Sequence, residues 1–300
     1  MDQNLSALTT EQRNQDTLNI DKVSTVEMLE MINDEDAKAA AAVRLELPNI
    51  ARAVEAVAKA LGAGGRLFYV GAGTSGRIGV LDASEIPPTF GLPHGIVVGV
   101  MAGGESAMYK AKEGAEDNPA LGAKDIEENG VKAGDIVMGI AASGRTPYVL
   151  GALEGAKKLG ALTIGLSNVA GSKVSQACDI PITPVPGPEA LTGSTRMKAG
   201  TTQKMVLNMI TTGAMIKLGK AYSNLMVDVV PTNEKLVDRA ARIVHAATGA
   251  DLENCAKTLI EAGNNPKTAI VMIKTGLGGQ EARGLLERCG GFVARALETV

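Results

Sequence analysis

The chain has no tryptophan, and only three phenylalanines and four tyrosines among its 300 residues. So thin an aromatic complement offers no stacking platform for single-stranded nucleic acid and no aromatic face for a sugar ring. Positive charge is not concentrated either. Thirty Lys and Arg stand against 33 Asp and Glu, for a net charge of −3 and no basic block, which excludes the electrostatic footprint of a nucleic-acid partner. Cys178, Cys255 and Cys289 are odd in number and scattered, so they suggest neither a disulfide framework nor a metal cluster. His94 and His245 lie far from each other and from any cysteine at ligand spacing. They read as structural or surface residues, and no metal site is expected. There is no run of 18 apolar residues, and MDQNLSALTTEQRNQDT carries no cationic-apolar signal. The expected compartment is the cytoplasm, with no membrane partner.

What the chain does have is an alternation of short apolar runs with helical periods. Strands are expected at 66–70, 96–101, 135–140, 161–166 and 180–183, and helices at about 75–85, 106–116, 119–129, 146–159 and 172–177. Runs such as IVMGIA and LTIGL are continuously apolar, the pattern of strands covered on both faces, and so imply a parallel sheet flanked by helices. Ligands of such sheets sit at the carboxyl ends of the strands. Before the sheet come a polar stretch over 1–20, a capping pattern at Ser24 and Glu27, a helical segment over 36–47, an interruption at Pro48 and a helix over 49–61. After it, prolines at 181, 184, 186 and 188 mark an extended loop, and a long helix over 198–218 is apolar on more than one face. A linker is expected at Pro231–Glu234, and only helical periods follow, over 235–300.

The segment RLFYVGAGTSGRIGVLDASEIPP, Arg66 to Pro88, reads as strand, glycine turn and helix. Gly71, Gly73 and Gly76 permit a tight turn and close approach of an anion to backbone N–H groups at a helix N-terminus, and Thr74 and Ser75 add hydroxyl donors. The spacing also matches the dinucleotide fingerprint. That fingerprint requires an acid at the end of the second strand, where this chain has Ala102-Gly103-Gly104, the first acid being Glu105. A phosphate on a small metabolite fits better than a nicotinamide or flavin. Two further hydroxyl-bearing segments, Ala142-Ser143-Gly144-Arg145-Thr146 and Gly193-Ser194-Thr195-Arg196, fall at the same edge of the sheet. Singly, each is also what a helix N-cap looks like; together they favour a ligand. The P-loop lysine spacing is absent.

Carboxylates supply the remaining chemistry. Asp82 and Glu85 share a helix face near a helix end that Pro87 and Pro88 are expected to stop. Glu113, Glu116 and Asp117 are expected on the helix after the second strand. Such groups serve equally as general acid and base or as a solvated helix face, and spacing leaves both open.

The runs VGAGTSGRIGVLDASEIPPTFG, VVGVMAGGESA, EGAED, GIAASGRTPYV, TGSTRMKAGTTQKMVLNMITTGAMIKLGK and NLMVDVVPTNEKL resemble the N-acetylmuramic acid 6-phosphate etherases of the sugar isomerase (SIS) superfamily, from about Asn19 to the C-terminus. The resemblance implies an α/β, three-layer, parallel-sheet SIS domain, flavodoxin- or Rossmann-like, over 57–220. Residues 1–56 form a leader with helices, 221–234 a linker, and 235–300 a small all-helical domain. It further implies a homodimeric lyase without metal or organic cofactor. That enzyme would cleave the C3 ether of a sugar phosphate to N-acetylglucosamine 6-phosphate and D-lactate in cell-wall amino-sugar recycling. The catalytic pair carries over to Glu85 in DASE and Glu116 in EGAED. Phosphate and substrate contacts carry over to Thr74, Ser75, Ser143, Gly144 and Thr146, with Ser194, Thr195 and Lys198 completing the pocket. Ile86 stands where some relatives have a small residue such as Cys. An aldose–ketose isomerase on the same scaffold would share the phosphate loops without releasing lactate. A non-catalytic sugar-phosphate sensor would not need the Glu85 and Glu116 pair.

Overall fold

A computed structural model describes residues 9–110, 112–229 and 234–300. The linker expected at 231–234 thus lies outside the described residues, apart from the backbone of Glu234, which opens a helix. Five strands, β1 (Leu67–Gly71), β2 (Val97–Met101), β3 (Ile136–Ala141), β4 (Leu162–Ser167) and β5 (Ile180–Ile182), form one parallel sheet in the order β2-β1-β3-β4-β5. Each lies within a residue of its expected bounds. Every residue of β1 and β3 is buried, as their unbroken apolar runs require. The flanking helices are α1 (Thr25–Leu45), α2 (Leu47–Gly62), α3 (Gly73–Phe90), α4 (Pro119–Glu128), α5 (Pro147–Lys158), α6 (Lys173–Ala177) and α7 (Lys198–Lys217).

The strand order reverses at β1. The chain passes from β1 to β2 on one side, then to β3 on the other, with Gly71 in register with both Met101 and Ile140. Loops leaving β1 and β3 therefore diverge and open a crevice at the carboxyl edge. Glycine brings α3 onto the sheet there. A Cβ on Gly71 would lie 2.7 Å from the Gly76 nitrogen, and one on Gly76 would lie 2.6 Å from the Gly71 oxygen. The first turn of α3 thus packs backbone on backbone against the end of β1, an approach that any side chain would block.

Several local expectations are corrected. Ser24 and Glu27 do form a reciprocal capping box, but the helix they open runs unbroken to Leu45, and Pro48 lies in the first turn of α2, where its missing N–H costs no bond. Pro87 and Pro88 do not stop α3. The ring fixes φ near a helical value, so α3 continues to Phe90 and ends at Gly91, whose φ is +66°. The helix expected over 106–116 is replaced by a single 3₁₀ turn at Glu105–Met108 followed by irregular turns. Gly103, Gly104 and Gly114, all at positive φ, break the helical path on either side. Glu113 and Glu116 thus sit in turns and not on a helix.

The chain divides into two compact units, the described residues up to Ser84 with Gly95–Thr211, and Glu85–His94 with Thr212–Val300. Beyond the ends of α3 and α7, the described residues of the second form a small hairpin, β6 (Ala221–Tyr222) and β7 (Leu225–Met226), unannounced by the sequence, and the helices α8 (Glu234–Thr248), α9 (Leu252–Glu261), α10 (Pro266–Thr275), α11 (Gly279–Arg288) and α12 (Val293–Glu298). Asp251 and Asn265 cap α9 and α10, and left-handed Gly276 closes α10. The core of this unit includes Val244, Leu259, Ile270, Leu285 and Val293.

Candidate functional site

The first turn of α3, which leaves β1 through Ala72 alone, divides its two hydroxyls between different tasks. Ser75 is buried and donates to Gln203 Oε1 on α7 at 2.9 Å. Gln203 donates in turn to Asn168 Oδ1 at 3.0 Å, and Asn168 donates to Thr202 Oγ1 at 2.7 Å and to the Pro184 carbonyl at 2.8 Å. Thr74 is half-buried. It faces the start of α7, where a Cβ on Gly200 would lie 3.6 Å from Thr74 Cγ2 and 3.6 Å from the Thr195 carbonyl. The first and third hydroxyl segments are thereby brought together, with Ser194 and Thr195 half-buried in the turn before α7.

The second segment joins them through the loop after β4, where the Asn168 N–H donates to the Ala142 carbonyl at 2.9 Å. Gly144 has φ of +64°, and a Cβ there would come within 2.3 Å of Ser172 Cβ, so only glycine fits. Thr146 occupies the N-cap position of α5 without a side-chain capping bond, and Ser143 beside it is half-buried. Arg145 Nη1 is buried with no hydrogen-bond partner among the described residues, a donor that a nearby anion would satisfy.

Glu116 lies where the chain turns toward α4. It lines a cavity of about 250 Å³ together with Ala72, Gly73, Arg77, Met101, Lys112 and Glu113, at the carboxyl ends of β1 and β2. Its side chain is exposed, while its carbonyl accepts the N–H of buried Tyr148 on α5 at 3.0 Å. Arg77, which also lines this cavity, donates to the carbonyls of Ala107 and Met108, both at 2.8 Å. A carboxylate anchored through its backbone and free at its tip, beside the opening turn of a helix, can accept a proton from a bound small molecule.

Asp82, grouped with Glu85 by spacing, has a different environment. It is buried and accepts from the Tyr69 hydroxyl at 2.8 Å, from Asn208 at 2.6 Å and from Thr211 at 3.2 Å. Burial raises its pKa above the ordinary carboxylate range against the pull of those three bonds. Glu85 is exposed near the end of α3 and falls in the second unit. Lys198 is buried, and its ammonium is paired with buried Glu35 of α1. Sequence spacing missed Arg77, Asn168, Gln203 and Glu35 as members of this region. The partners of Ser75 and Lys198 are 128 and 163 residues away, beyond any local pattern; only Arg77, a cation next to Gly76 in the glycine-rich segment, offered a signal.

Among curated proteins, the N-acetylmuramic acid 6-phosphate etherase of Cronobacter sakazakii is 56% identical over 98% of this chain and 99% of its own length. That of Clostridium botulinum strain Loch Maree is 56% identical over 99% of this chain and 98% of its own. This chain belongs to the N-acetylmuramic acid 6-phosphate etherase family. In this chain, residues 49–157 match the glucokinase regulatory protein N-terminal SIS domain and residues 118–213 match the SIS domain. The first span contains Thr74, Glu85 and Glu116, both contain Ser143 and Thr146, and the second contains Ser194, Thr195 and Lys198. A phosphoheptose isomerase from Neisseria gonorrhoeae, 19% identical, aligns over 65% of this chain and 98% of its own with a TM-score of 0.50, which places the sheet in the SIS fold. Among the described residues no helix is long and apolar enough to cross a membrane.

Proposed function

We propose that this chain is an N-acetylmuramic acid 6-phosphate etherase. It cleaves the C3 lactyl ether to give N-acetylglucosamine 6-phosphate and D-lactate, by elimination and hydration, as a carbon–oxygen lyase of cell-wall amino-sugar recycling. The observation that carries this is the 56% identity, over nearly the whole of both chains, to relatives that bear the etherase name. The family likeness further implies a cytoplasmic homodimer that uses neither metal nor organic cofactor.

In this mechanism the sugar opens to its aldehyde, which acidifies the proton on C2. Glu116 takes that proton as general base. The C3–oxygen bond breaks, and the departing lactate oxygen takes a proton from the Glu85 carboxylic acid. Water then adds across the C2–C3 double bond, its oxygen to C3 and a proton to C2, restoring both groups. The net change is one water consumed and one lactate released. Each placed proton transfer contributes about 10²–10⁴-fold. The exposed tip of Glu116 in its small cavity supports the base role, and the phosphate is assigned to Thr74, Ser143, Thr146, Ser194 and Thr195, with Ser75 and Gly144 shaping their loops.

The test is release of D-lactate from N-acetylmuramic acid 6-phosphate, alongside exchange of the C2 proton with solvent deuterium. Wild type releases lactate. Glu85→Gln exchanges C2 but releases none, and Glu116→Gln does neither. Exchange lost in Glu85→Gln but kept in Glu116→Gln reverses the two roles, and wild type that binds the sugar phosphate without turnover overturns the assignment in favour of a sensor.

A further inference from the structure

Between Ile182 and Lys198 the described chain has neither helix nor strand, yet this loop ends in the Ser194–Thr195 turn. Ordering so long an irregular segment costs about 1–2 kcal/mol per residue in backbone entropy alone, so something must hold it. The holders come from the N-terminal end of the chain. Asn14 Nδ2 donates to the Pro188 carbonyl at 3.1 Å and the Thr17 hydroxyl to the Ala190 carbonyl at 2.8 Å, both from side chains that are themselves buried. At the loop's exit, Glu35 of α1 meets Lys198, and Lys38 joins from the other side with Nζ 2.6 Å from Glu35 Oε1. Glu189 closes the loop on itself, accepting the N–H groups of Lys198 and Ala199, both at 2.9 Å, at the start of α7. Glu35, Glu189 and Lys198 are each no more than 2% exposed.

Three segments distant in sequence therefore converge, through charged and polar side chains, on the stretch that delivers Ser194 and Thr195 to the Thr74 loop. Within this cluster the Lys198 ammonium is paired with the Glu35 carboxylate, which ties the start of α7 to α1. We infer that residues 14–17 and Glu35 form a clamp that sets the substrate-binding position of the Ser194–Thr195 turn, with Lys198 acting as a positioning residue. The inference rests on the etherase assignment for its substrate. It gives the polar leader, which has no catalytic motif, a task in binding and none in the chemical steps.

The experiment measures KM and kcat for lactate release, and Kd for N-acetylglucosamine 6-phosphate by calorimetry, in wild type, Thr17→Val, Glu35→Gln, Lys198→Met and Glu35→Gln/Lys198→Met. Thr17→Val removes one hydrogen bond without changing shape and raises KM and Kd by about three- to tenfold, the worth of one such bond, with kcat unmoved. Glu35→Gln and Lys198→Met raise both further, and the double variant is no worse than the worse single one, because the two residues act as a unit. Where the buried-pair variants fail to fold, Thr17→Val decides. The clamp is overturned if Thr17→Val leaves KM and Kd unchanged, if kcat falls at constant KM, or if Lys198→Met alone abolishes binding while Glu35→Gln is silent, which makes Lys198 a direct ligand. Absence of lactate from wild type defeats the etherase assignment instead, and the calorimetric series still tests the clamp.

Discussion

The loops after β1 and β3 look alike in sequence, each a strand, a glycine, Ser and Thr, then a helix, but the fold uses them differently. After β1, Ser75 is buried and bonded to Gln203, and Gly71 and Gly76 are wedged backbone to backbone. After β3, Thr146 caps its helix by position alone and Ser143 stays half-buried. The carboxylates split in the same way. Asp82 accepts three side-chain hydrogen bonds, whereas Glu116 projects into a cavity with its tip exposed. A polar residue whose partners are supplied by the protein builds the site, and one whose partners are missing is left for a ligand. Residue type and spacing do not distinguish the two cases, because the difference lies in what arrives from far along the chain.

Glu116→Gln is the sharpest way to break this comparison. As an open carboxylate in the chemistry, it loses about 10²–10⁴-fold in kcat on amidation with little change in the urea midpoint. Asp82→Asn does the reverse, costing about 1–3 kcal/mol of stability by unpairing a buried donor from Tyr69 or Asn208. Steady-state lactate assays and urea melts on both variants read the two axes separately. Equal stability loss in both would erase the distinction between open and satisfied carboxylates.

Glu35 carries the second test, through pH. Burial by itself would raise its pKa, but the side-chain bonds from Lys198, Lys38 and Asn14 outweigh it and hold the folded value below the ordinary carboxylate range. The unfolded chain binds the proton more readily, so the stabilisation is fully present above the ordinary carboxylate value of about 4.3 and is lost as pH falls through the lowered folded value. Glu35→Gln mimics the protonated state. Removing one partner of a buried pair costs about 3–5 kcal/mol, so wild type exceeds Glu35→Gln by an amount of that order at pH 7, and the gap closes toward acid. Asp82 and Glu189, both raised chiefly by burial, bend the absolute curves the other way; Asp82 shares no partner with Glu35 and cancels in the difference, whereas Glu189 shares Lys198 with it, so the pair is compared again in a Glu189→Gln background. A gap independent of pH in urea melts from pH 7 to pH 3 would show that Glu35 is not charged in the fold.

How much of this was legible follows the same division. The strands, the parallel sheet and the strand–loop–helix placement of Thr74, Ser143 and Thr146 come from local pattern, since apolar runs and glycine turns are local physics. The extension of α3 past Pro87 and the loss of the helix over 106–116 were not legible. Proline's φ is compatible with a helix end, and glycines at positive φ are not marked as such by their letter. The bonds from Ser75 to Gln203, from Lys198 to Glu35 and from Asn14 and Thr17 to the Pro188 and Ala190 carbonyls depend on tertiary closure. They decide which motif residues remain free.

The smallest effects test the two loops directly. Ser75→Ala leaves Gln203 Oε1 without its donor in a buried network, and a buried acceptor left unpaired costs about 1–3 kcal/mol. The urea midpoint therefore falls, and Kd for N-acetylglucosamine 6-phosphate rises only as far as the network's slackening moves Thr74. Ser143→Ala with Thr146→Val removes two hydroxyls that give the fold little. Thr146 makes no capping bond to lose, so the unfolding free energy stays within about 0.5 kcal/mol, the usual range for a substitution away from such features. If those hydroxyls meet a phosphate, each is worth about 0.5–1.5 kcal/mol or somewhat more against a charged group, and Kd rises about tenfold. The two variants thus move in perpendicular directions, one in stability and the other in affinity. A Ser143→Ala/Thr146→Val protein that melts early and binds normally would mean that the β3 loop is architecture as well, and the ligand-facing donors would then have to be sought in the first turn of α3 and in the Ser194–Thr195 turn.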